Sequence, residues 1–411
     1  MLARARSVPP MRGPGRRDTA VRGRRSVGSS WSISVTLVTM LLLCACGGHD
    51  AVTEATLAPI EDASGLDEAE LPGASLVAPV QISVATYEGS GELVHPDAAV
   101  FPARWQGKRY WFSGTPYPAG NPRFENPSIY YGRYSSEMRV PLGVTNPIVA
   151  APPSGYMSDP DLVHDPDSDE LRMYYRKTMQ DLDEVLFTTS RDGVHWSPAR
   201  LVVTSPRYSL ISPSIVRESA TAWRMWTVNA SPQGCYSTLT ETTLQQRRSA
   251  DGVTWGEPEL VTLRLPGRVP WHWDVQYVAA KSEYWALVAA YPDGATCSRT
   301  SVYFARSADG TTWNVSPTAL LGPGEFEPLR DMVYRSSFHY HEGSDAVSVW
   351  FSGGRLEGNA FRYAIASARY PYAELLRRVG GSAPLTFERE GSLAASPELR
   401  EARTRFEHEF P

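Results

Sequence analysis

The chain has 411 residues, of which 42% are apolar, and this is enough for a large hydrophobic core. Its formal net charge of −5 is unevenly distributed, because residues 1–46 contain eight Arg, no Lys and the single acid Asp18, which leaves 32 basic and 44 acidic residues in the remainder. A body this acidic excludes nucleic acid and broad binding to anionic surfaces.

Residues 1–46 are predicted to be an export signal. An arginine-rich stretch precedes a short apolar run at 32–45, too short for a comfortable membrane span but suited to the core of a signal peptide. The run ends in the sequence LCACG (43–47), which resembles a lipobox, and we predict that Cys46 is lipidated. An ordinary cleaved signal peptide is the alternative. The Gly after Cys46 favours attachment to the outer membrane, with the body periplasmic or surface-exposed and the lipid as its sole membrane contact.

The rest of the chain divides into three parts. Residues 47–86 are rich in Ala, Glu, Asp and Pro with little periodicity, and they predict a flexible acidic tether. The folded body is assigned to residues 87–372. Residues 373–411 are a C-terminal tail, within which 373–379 can form one or two helical turns.

The body contains a repeated turn motif. The pattern Ser-x-Asp-Gly-x-x-Trp occurs at 190–196, 249–255 and 307–313, and the Asp residues of successive copies are 59 and 58 residues apart. Asp-Gly is typical of hairpin turns because Gly accepts a positive φ, and the following Trp can fill the space between neighbouring sheets.

Two further series have the same period. Polar residues begin an apolar strand in each repeat, at His95-Pro96-Asp97, Asp159-Pro160-Asp161, Ser212-Pro213-Ser214, His272-Trp273-Asp274 and Tyr334-Arg335-Ser336. An aromatic strand follows in each, at 110–113, 173–176, 224–227, 284–287 and 347–351. No long segment has a helical period. Five such repeats predict an all-β, five-bladed β-propeller. A β-sandwich is the alternative, and it does not explain the regular spacing.

Cysteine usage predicts one disulfide in the body. Cys235 and Cys297 follow the aromatic strands of the third and fourth repeats, so their loops should be neighbours in an oxidising compartment. No Cys or His cluster has the local spacing of metal ligands, so we predict no metal site and no cofactor, and a structural Ca²⁺ has no motif to support it.

In a propeller the starts of the innermost strands converge around the axis. The residues predicted to meet there are His95, Asp97, Asp159, Asp161, Ser212, Ser214, His272, Asp274, Arg335 and Ser336. Several carboxylates at one site shift each other's pKa values apart, so that one can act as an acid while another is ionised. Cleavage of a glycosidic bond needs that pair.

The strand starts and the repeated turn motif resemble those of the five-bladed glycoside hydrolases of families 32, 43, 62 and 68. The similarity implies that Asp97 is a general base and that Asp159 or Asp161 tunes the acid. The general acid of these families is a Glu of the third blade, but this blade begins with Ser212-Pro213-Ser214. Glu125 and Asp274 are the candidate substitutes.

Other side chains are predicted to bind the substrate. Trp111, Tyr117, Trp271 and Trp273 can stack on sugar faces, and His272 can tune a neighbouring carboxylate. Arg176 and Arg335 can hold a carboxylated sugar through bidentate hydrogen bonds or brace buried aspartates.

These observations favour a monomeric cell-envelope lipoprotein that hydrolyses a polysaccharide, or a related glycoside phosphorylase. A non-catalytic glycan-binding lipoprotein and a structural propeller that binds an envelope protein are the alternatives. The turn motif is also similar to the Asp-box of sialidases but lacks the residue between Asp and Gly, and sialidases have six blades.

Overall fold

The computed structural model describes residues 76–132, 137–235 and 241–380. The predicted export signal with Cys46, most of the predicted tether and the tail beyond residue 380 lie outside the described residues. Within the described part of the chain, no helix has the length and apolar character needed to cross a membrane.

The regular secondary structure of the described residues is almost entirely β-strand, as predicted. Strand β1 (Val77–Val84) comes first. Four groups of four consecutive antiparallel strands, here called meanders, follow it. Meander 1 contains β2 (Leu93–Trp105), β3 (Lys108–Pro116), β4 (Ser128–Gly132) and β5 (Glu137–Arg139). Meander 2 contains β6 (Tyr156–Asp165), β7 (Glu170–Thr178), β8 (Leu182–Ser190) and β9 (Arg200–Pro206). Meander 3 contains β10 (Ile211–Ser219), β11 (Ala222–Asn229), β12 (Thr243–Ser249) and β13 (Glu259–Leu263). Meander 4 contains β14 (Arg268–Val278), β15 (Glu283–Pro292), β16 (Ser301–Ser307) and β17 (Thr312–Val315).

Meander 5 is completed by the start of the described chain. It contains β18 (Met332–His341), β19 (Ala346–Glu357) and β20 (Ala360–Pro371), and β1 pairs antiparallel with β20 as its fourth strand. Helix α1 (Tyr372–Gly380) follows. Short 3₁₀ turns lie at Pro118–Gly120, Pro122–Phe124, Ala279–Lys281, Cys297–Arg299, Glu327–Leu329 and Glu342–Ser344.

Both predicted boundaries of the folded body shift outward. The tether prediction was wrong for Val77–Val84, because this segment alternates apolar and polar residues and buries Ile82 and Val84 against the core. Flanking Pro and Ala residues make the short alternation look like a linker. At the other end, the helical turns predicted within 373–379 are part of α1, which packs Leu375 and Val379 against the core.

The first strands of the meanders form a closed ring. Contacts run from β2 to β6, β10, β14 and β18, and from β18 back to β2. The second strand of each meander is buried along most of its length, which accounts for the predicted aromatic strands. Polar residues at the starts of the five inner strands therefore lie around one central axis.

The repeated turn motif couples neighbouring meanders. In the third copy, the Ser307 hydroxyl donates to Asp309 Oδ1 (3.0 Å), and Asp309 Oδ1 accepts the N–H groups of the two residues after Gly310 (both 2.8 Å). Gly310 has φ +71° and packs against the Trp226 ring of meander 3, whose Nε1 donates to its carbonyl (2.8 Å). The same Ser–Asp bonds recur at 190–192 and 249–251. The motif therefore needs Gly for both its positive φ and the close contact.

The predicted disulfide between Cys235 and Cys297 is present, with a Cα–Cα distance of 5.4 Å. It joins the loop after β11 to the loop after β15 and so links meanders 3 and 4 on the side where the inner strands begin.

Candidate functional site

A β-bulge interrupts each inner strand close to its start. The pairing register shifts between Val94 and Asp97 in β2, and equivalent shifts occur in β6, β10, β14 and β18. At three bulges the residue before Pro has a positive φ: His95 (+53°), Asp159 (+54°) and Ser212 (+50°). Such non-glycine conformations cost on the order of 1–3 kcal/mol each and cluster at functional sites. The bulges aim these side chains at the axis.

Three of the axial side chains form a compact cluster, here called the histidine–aspartate cluster: His95, Asp159 and His272. Asp159 Oδ1 lies 3.5 Å from His95 Nε2 and 3.4 Å from His272 Nδ1. One potential ligand atom from each residue lies within 4.8 Å of the others. Meanders 1, 2 and 4 each contribute one member, so the cluster depends on closure of the ring.

Hydroxyl groups orient both imidazoles. His95 Nδ1 contacts Thr115 Oγ1 (3.0 Å), and His272 Nδ1 contacts Ser212 Oγ (2.6 Å). The Nε2 atoms of both histidines are buried and have no hydrogen-bond partner among the residues that the structure describes. At His95 the hydroxyl contacts the ring nitrogen opposite the one that faces Asp159, as in metal-binding histidines, whereas at His272 the same Nδ1 faces both Ser212 and Asp159.

Burial sets the protonation of the cluster. It lowers the pKa of His95 to about 3 and the pKa of His272 well below its usual value, and the charges of Arg335 and Arg176 act in the same direction. Both imidazoles are therefore neutral near pH 7, the form that binds metal ions.

Asp159 stays ionised despite complete burial. Burial alone would raise its pKa, but the surrounding positive charges outweigh that effect and hold the pKa well below the usual range. Arg176 Nε lies 3.1 Å from Asp159 Oδ2 and Arg335 Nη1 lies 3.4 Å from Oδ1. Because the imidazoles are neutral, these guanidinium groups are the permanent charges that stabilise the carboxylate.

Two neutral imidazoles beside one carboxylate form a ligand set suited to a divalent transition metal. The buried, unpartnered Nε2 atoms of His95 and His272 support this fit. The sequence did not single out these three residues as a ligand set, because they come from three meanders and have no local spacing in the sequence.

Glu125 lies beside the cluster, with Oε1 3.7 Å from His95 Nδ1. Its loop is held in place because Met157 N donates to the Glu125 carbonyl (2.9 Å) and the Tyr87 hydroxyl donates to the Phe124 carbonyl (2.9 Å). Burial and the negative charge of Asp159 raise the pKa of Glu125 well above its usual value, against the opposing charge of Arg176. Glu125 is therefore placed to exchange a proton.

A narrow pocket opens onto this site. Glu125 is the one acidic residue among those that line it, and aromatic walls come from Tyr117, Tyr208, Trp271 and Tyr334. The disulfide and Arg176 also line it. Its enclosed volume of about 20 Å³ has room for about one water-sized group.

The structure separates Asp97, Asp161 and Asp274 from this pocket, so the prediction that all axial residues share one opening was wrong. These aspartates line a second pocket of about 310 Å³ at the other mouth of the channel. Each lies two residues further along its strand than His95, Asp159 or His272, and so closer to that other mouth. His272 accordingly contacts Asp159, and Asp274 bonds elsewhere.

The three aspartates also tie the inner strands together. Asp97 Oδ2 accepts the N–H of Leu162 (2.6 Å), and Asp161 Oδ2 accepts that of Ile215 (3.1 Å). Asp274 Oδ2 likewise accepts a backbone N–H, from β18 (3.3 Å). Each uses one carboxylate oxygen as a link to the next meander.

Two aromatic predictions were wrong about position. Trp273 is 1% exposed and packs near Trp313, while Trp111 is 2% exposed and packs against Trp105. Trp273 points away from the axis because it alternates with His272 and Asp274. Trp271 and Tyr117 do line the pocket.

Arg335 is fully buried on the axis, where it contacts Asp159, and does not line the narrow pocket. Tyr334 also lines the narrow pocket, although it was not predicted from the sequence to be a site residue. Its ring lies 5.2 Å from that of His95 and 4.7 Å from that of His272. Its position next to Arg335 at the start of the fifth inner strand could have indicated that it lies near the axis.

Fold and site together define a β-propeller of the kind found in glycoside hydrolases. A solved structure described as a glycoside hydrolase matches with a TM-score of 0.50 and 12% identity, covering 72% of this chain and 91% of that chain. That likeness concerns the fold alone. No family model matches the chain.

Two further matches concern one bacterium, Flavonifractor plautii. The chain is 31% identical over 320 residues to its A type blood N-acetyl-α-D-galactosamine deacetylase, covering 65% of this chain. The chain spans 41% of that relative's length. A crystal structure of an N-acetylgalactosamine deacetylase from F. plautii, in complex with blood group B trisaccharide, matches with a TM-score of 0.69 and 27% identity, covering 75% of this chain and 98% of that chain.

Proposed function

We propose that this protein is a carbohydrate deacetylase that removes the acetyl group from an N-acetylated amino sugar. The observation that carries the proposal is the narrow pocket in which Glu125 stands beside the histidine–aspartate cluster. Similarity to the F. plautii deacetylase supports the same chemistry.

Amide hydrolysis adds water to the acetyl carbonyl carbon, breaks the C–N bond and leaves acetate and a free amine. A base must take a proton from the water, and an acid must give one to the leaving nitrogen. Glu125, whose buried carboxyl lines the pocket, can do both in turn: its ionised form takes the proton from water, and its raised pKa favours holding that proton until the leaving nitrogen accepts it. Arg176 lines the same pocket and can stabilise negative charge that develops on the carbonyl oxygen.

His95, Asp159 and His272 would hold a divalent cation, which polarises a carbonyl and makes water more acidic when it is bound. Thr115 and Ser212 fix the imidazoles, and Arg176 and Arg335 keep Asp159 ionised. Trp271 offers an apolar face for a sugar ring at the pocket wall.

The pocket geometry favours deacetylation over glycoside hydrolysis. A glycosidase needs two carboxyl groups that face the same bond. In the described part of the chain, Glu125 is the one carboxyl that lines the narrow pocket, because Asp159 is enclosed by its partners and the other aspartates face the opposite mouth. Glycoside hydrolysis and non-catalytic glycan binding remain the alternatives that an assay must separate.

The test uses the full chain, supplied with Zn²⁺ or Mn²⁺ after chelation, and oligosaccharides that end in α-linked N-acetylgalactosamine or N-acetylglucosamine. We expect release of acetate and appearance of a free amine without new reducing ends. Reducing sugar without acetate would support the glycosidase, and saturable binding without either product would support the glycan-binding protein.

We also infer that the five meanders are the blades of a five-bladed propeller, with β1 as the outer strand of the last blade. The closed cycle of inner-strand contacts supports this count. An experimental structure with a sixth sheet around the axis would contradict it.

We further propose that the protein is exported and anchored in the cell envelope through Cys46, and that it acts as a monomer. The proposal of export and anchoring rests on the lipobox-like sequence at 43–47. The disulfide Cys235–Cys297 also fits an oxidising compartment. Mass spectrometry of the membrane fraction should find diacylated Cys46, and Cys46→Ser should release the protein. An unlipidated wild type in the soluble fraction would contradict the proposal.

A further inference from the structure

The loop that carries Glu125 is held by a separate part of the chain. This loop, residues 117–127, joins β3 to β4 and contains two short 3₁₀ turns. Residues 86–92, here called the clamp segment, lie between β1 and β2. One end of the clamp segment bonds to the start of the loop and the other end bonds to the residues around Glu125.

Glu92 of the clamp segment holds the start of the loop. Its carbonyl accepts the N–H of Tyr117 (2.9 Å), and its Oε2 accepts the N–H of Ala119 (3.0 Å). The same Oε2 accepts the N–H of Tyr363 in β20 (3.0 Å), and Oε1 accepts a hydrogen bond from Arg362 (2.9 Å). Glu92 is 6% exposed, so these bonds satisfy a buried carboxylate and join the loop to meander 5.

The hydroxyl of Tyr87 holds the other end of the loop. It donates to the Phe124 carbonyl (2.9 Å) and accepts a hydrogen bond from Asn126 Nδ2 (3.0 Å). Phe124 and Asn126 are the residues on either side of Glu125. A tyrosine hydroxyl can make both bonds because it is a donor and an acceptor. One oxygen atom therefore fixes both neighbours of Glu125.

The Glu125 carboxyl depends on these bonds for its position. Among the described residues no group donates a hydrogen bond to it, and it lies 3.7 Å from His95 Nδ1. The backbone of Glu125 is bonded instead, because its N–H donates to the Pro122 carbonyl (2.9 Å) and its carbonyl accepts the N–H of Met157 (2.9 Å). The place of the carboxyl beside the histidine–aspartate cluster is therefore set through its loop.

We infer that Tyr87 is a positioning residue for Glu125 and acts through Phe124 and Asn126. This inference rests on the proposed deacetylation, in which Glu125 transfers the proton. Tyr87 is 37% exposed and is not among the described residues that line the narrow pocket. Its effect on the reaction is therefore on the geometry of Glu125, and a displacement of about 1 Å at a catalytic group costs about 100-fold in rate.

The test compares Tyr87→Phe with wild type, both as the full chain supplied with Zn²⁺ after chelation. Acetate release is measured on an oligosaccharide that ends in α-linked N-acetylgalactosamine, and thermal unfolding shows that the variant is folded. Tyr87→Phe removes only the hydroxyl and keeps the ring. We expect kcat to fall about tenfold or more and KM to change less than about twofold, because a displaced proton-transfer group impairs the chemical step.

The pH dependence of kcat gives a second readout that a purely structural role would not change. Burial and the charge of Asp159 raise the pKa of Glu125 against the charge of Arg176. A loosened loop admits water to the carboxyl and lowers that pKa. The acidic limb of the kcat profile, where ionised Glu125 becomes protonated, should therefore move to lower pH in Tyr87→Phe.

Asn126→Ser removes the side chain that donates to the Tyr87 hydroxyl and should also lower kcat. Tyr340→Phe is the matched control, since the Tyr340 hydroxyl donates to Asp345 (2.6 Å) away from the narrow pocket, and it should keep kcat and the pH profile of wild type. A wild type that releases no acetate would overturn the deacetylase function itself. A wild type that releases acetate, with the same kcat and pH profile in folded Tyr87→Phe and Asn126→Ser, would overturn only the positioning role.

Discussion

His95 and His272 belong to the first and fourth meanders, yet their ring centroids are 5.4 Å apart and both imidazoles approach Asp159 Oδ1. The two residues meet across the axis because the inner strands close into a ring. A chain that fails to close has no such site, so stability of the ring and activity should be linked.

Replacing His272 tests the histidine–aspartate cluster. His272→Gln should lower the rate of acetate release at least about 100-fold, because the loss of one of three ligands impairs cation binding and carbonyl polarisation. His341→Gln is the matched control, since His341 is a partly buried histidine that contacts Ser348 (2.7 Å) away from the narrow pocket. Equal rates in His272→Gln and wild type would remove the cluster from the mechanism.

Glu125 is the proposed proton-transfer group. Glu125→Gln should reduce kcat by about 10²- to 10⁴-fold with little change in KM, the usual range for loss of general acid–base catalysis. Glu184→Gln, whose side chain pairs with Lys177 (3.0 Å) on the outer part of meander 2, should keep both constants. A rise in KM with an unchanged kcat would show that Glu125 only binds the substrate.

The repeated turn motif should be sensitive to a single methyl group. Gly310→Ala should lower the free energy of unfolding by roughly 2–4 kcal/mol, since it adds a strained left-handed residue and overpacks the neighbouring sheet. An added Cβ would lie 2.3 Å from Arg224 Nη1 and 2.9 Å from Trp226.

Gly267→Ala separates the two effects of that substitution. Gly267 has nearly the same φ, +70°, but no atom of the described residues lies within 4 Å of its added Cβ. Gly267→Ala should therefore lower the free energy of unfolding, measured with denaturant, by only about 1–2 kcal/mol, because only the backbone is strained. Equal losses in both variants would mean that the contact with meander 3 contributes nothing.

His341 predicts a pH dependence of stability. Burial lowers its pKa to about 3, and the positive charges of Arg369 and Arg109 and the neighbouring His339 act in the same direction. Below about pH 6.5 the unfolded chain therefore binds a proton at His341 that the folded protein does not bind. As a result, the free energy of unfolding decreases as pH falls from about 6.5 towards 3. Above pH 7 this contribution is constant.

The difference between wild type and His341→Gln isolates this histidine from the buried carboxyls, whose raised pKa values act with the opposite sign. Denaturant unfolding between pH 4 and 8 should show a smaller loss of stability on acidification in His341→Gln. Parallel curves would contradict the prediction.

The disulfide should support both the ring and the pocket. Cys235 and Cys297 are 62 residues apart, and their bond lies in the pocket wall. The double variant Cys235→Ser/Cys297→Ser should unfold with about 2–5 kcal/mol less free energy. Reducing agent should lower the melting temperature of wild type and not that of the double variant; identical responses would contradict the assignment.

Much of the architecture could be predicted from local patterns. The Asp-Gly turns, the aromatic strands and the polar strand starts repeat at similar intervals, because each meander packs against its neighbours through the same kinds of turn and strand. The same regularity led to the pairing of Cys235 with Cys297 and placed His95, Asp159 and His272 on one axis. The strand β1 was missed because its partner, β20, lies at the other end of the body.

What the sequence alone determined is therefore that polar residues at the starts of the inner strands, among them His95, Asp159 and His272, face the axis. The tertiary structure decided how far along the axis each one lies, and it divided them between two mouths. Bulges and the alternation of a strand put His95, Asp159 and His272 beside Glu125, and placed Asp97, Asp161 and Asp274 one layer deeper. A shift of two residues changes a side chain's depth without changing its face, and only the closed ring of strands reveals which of these depths share a pocket.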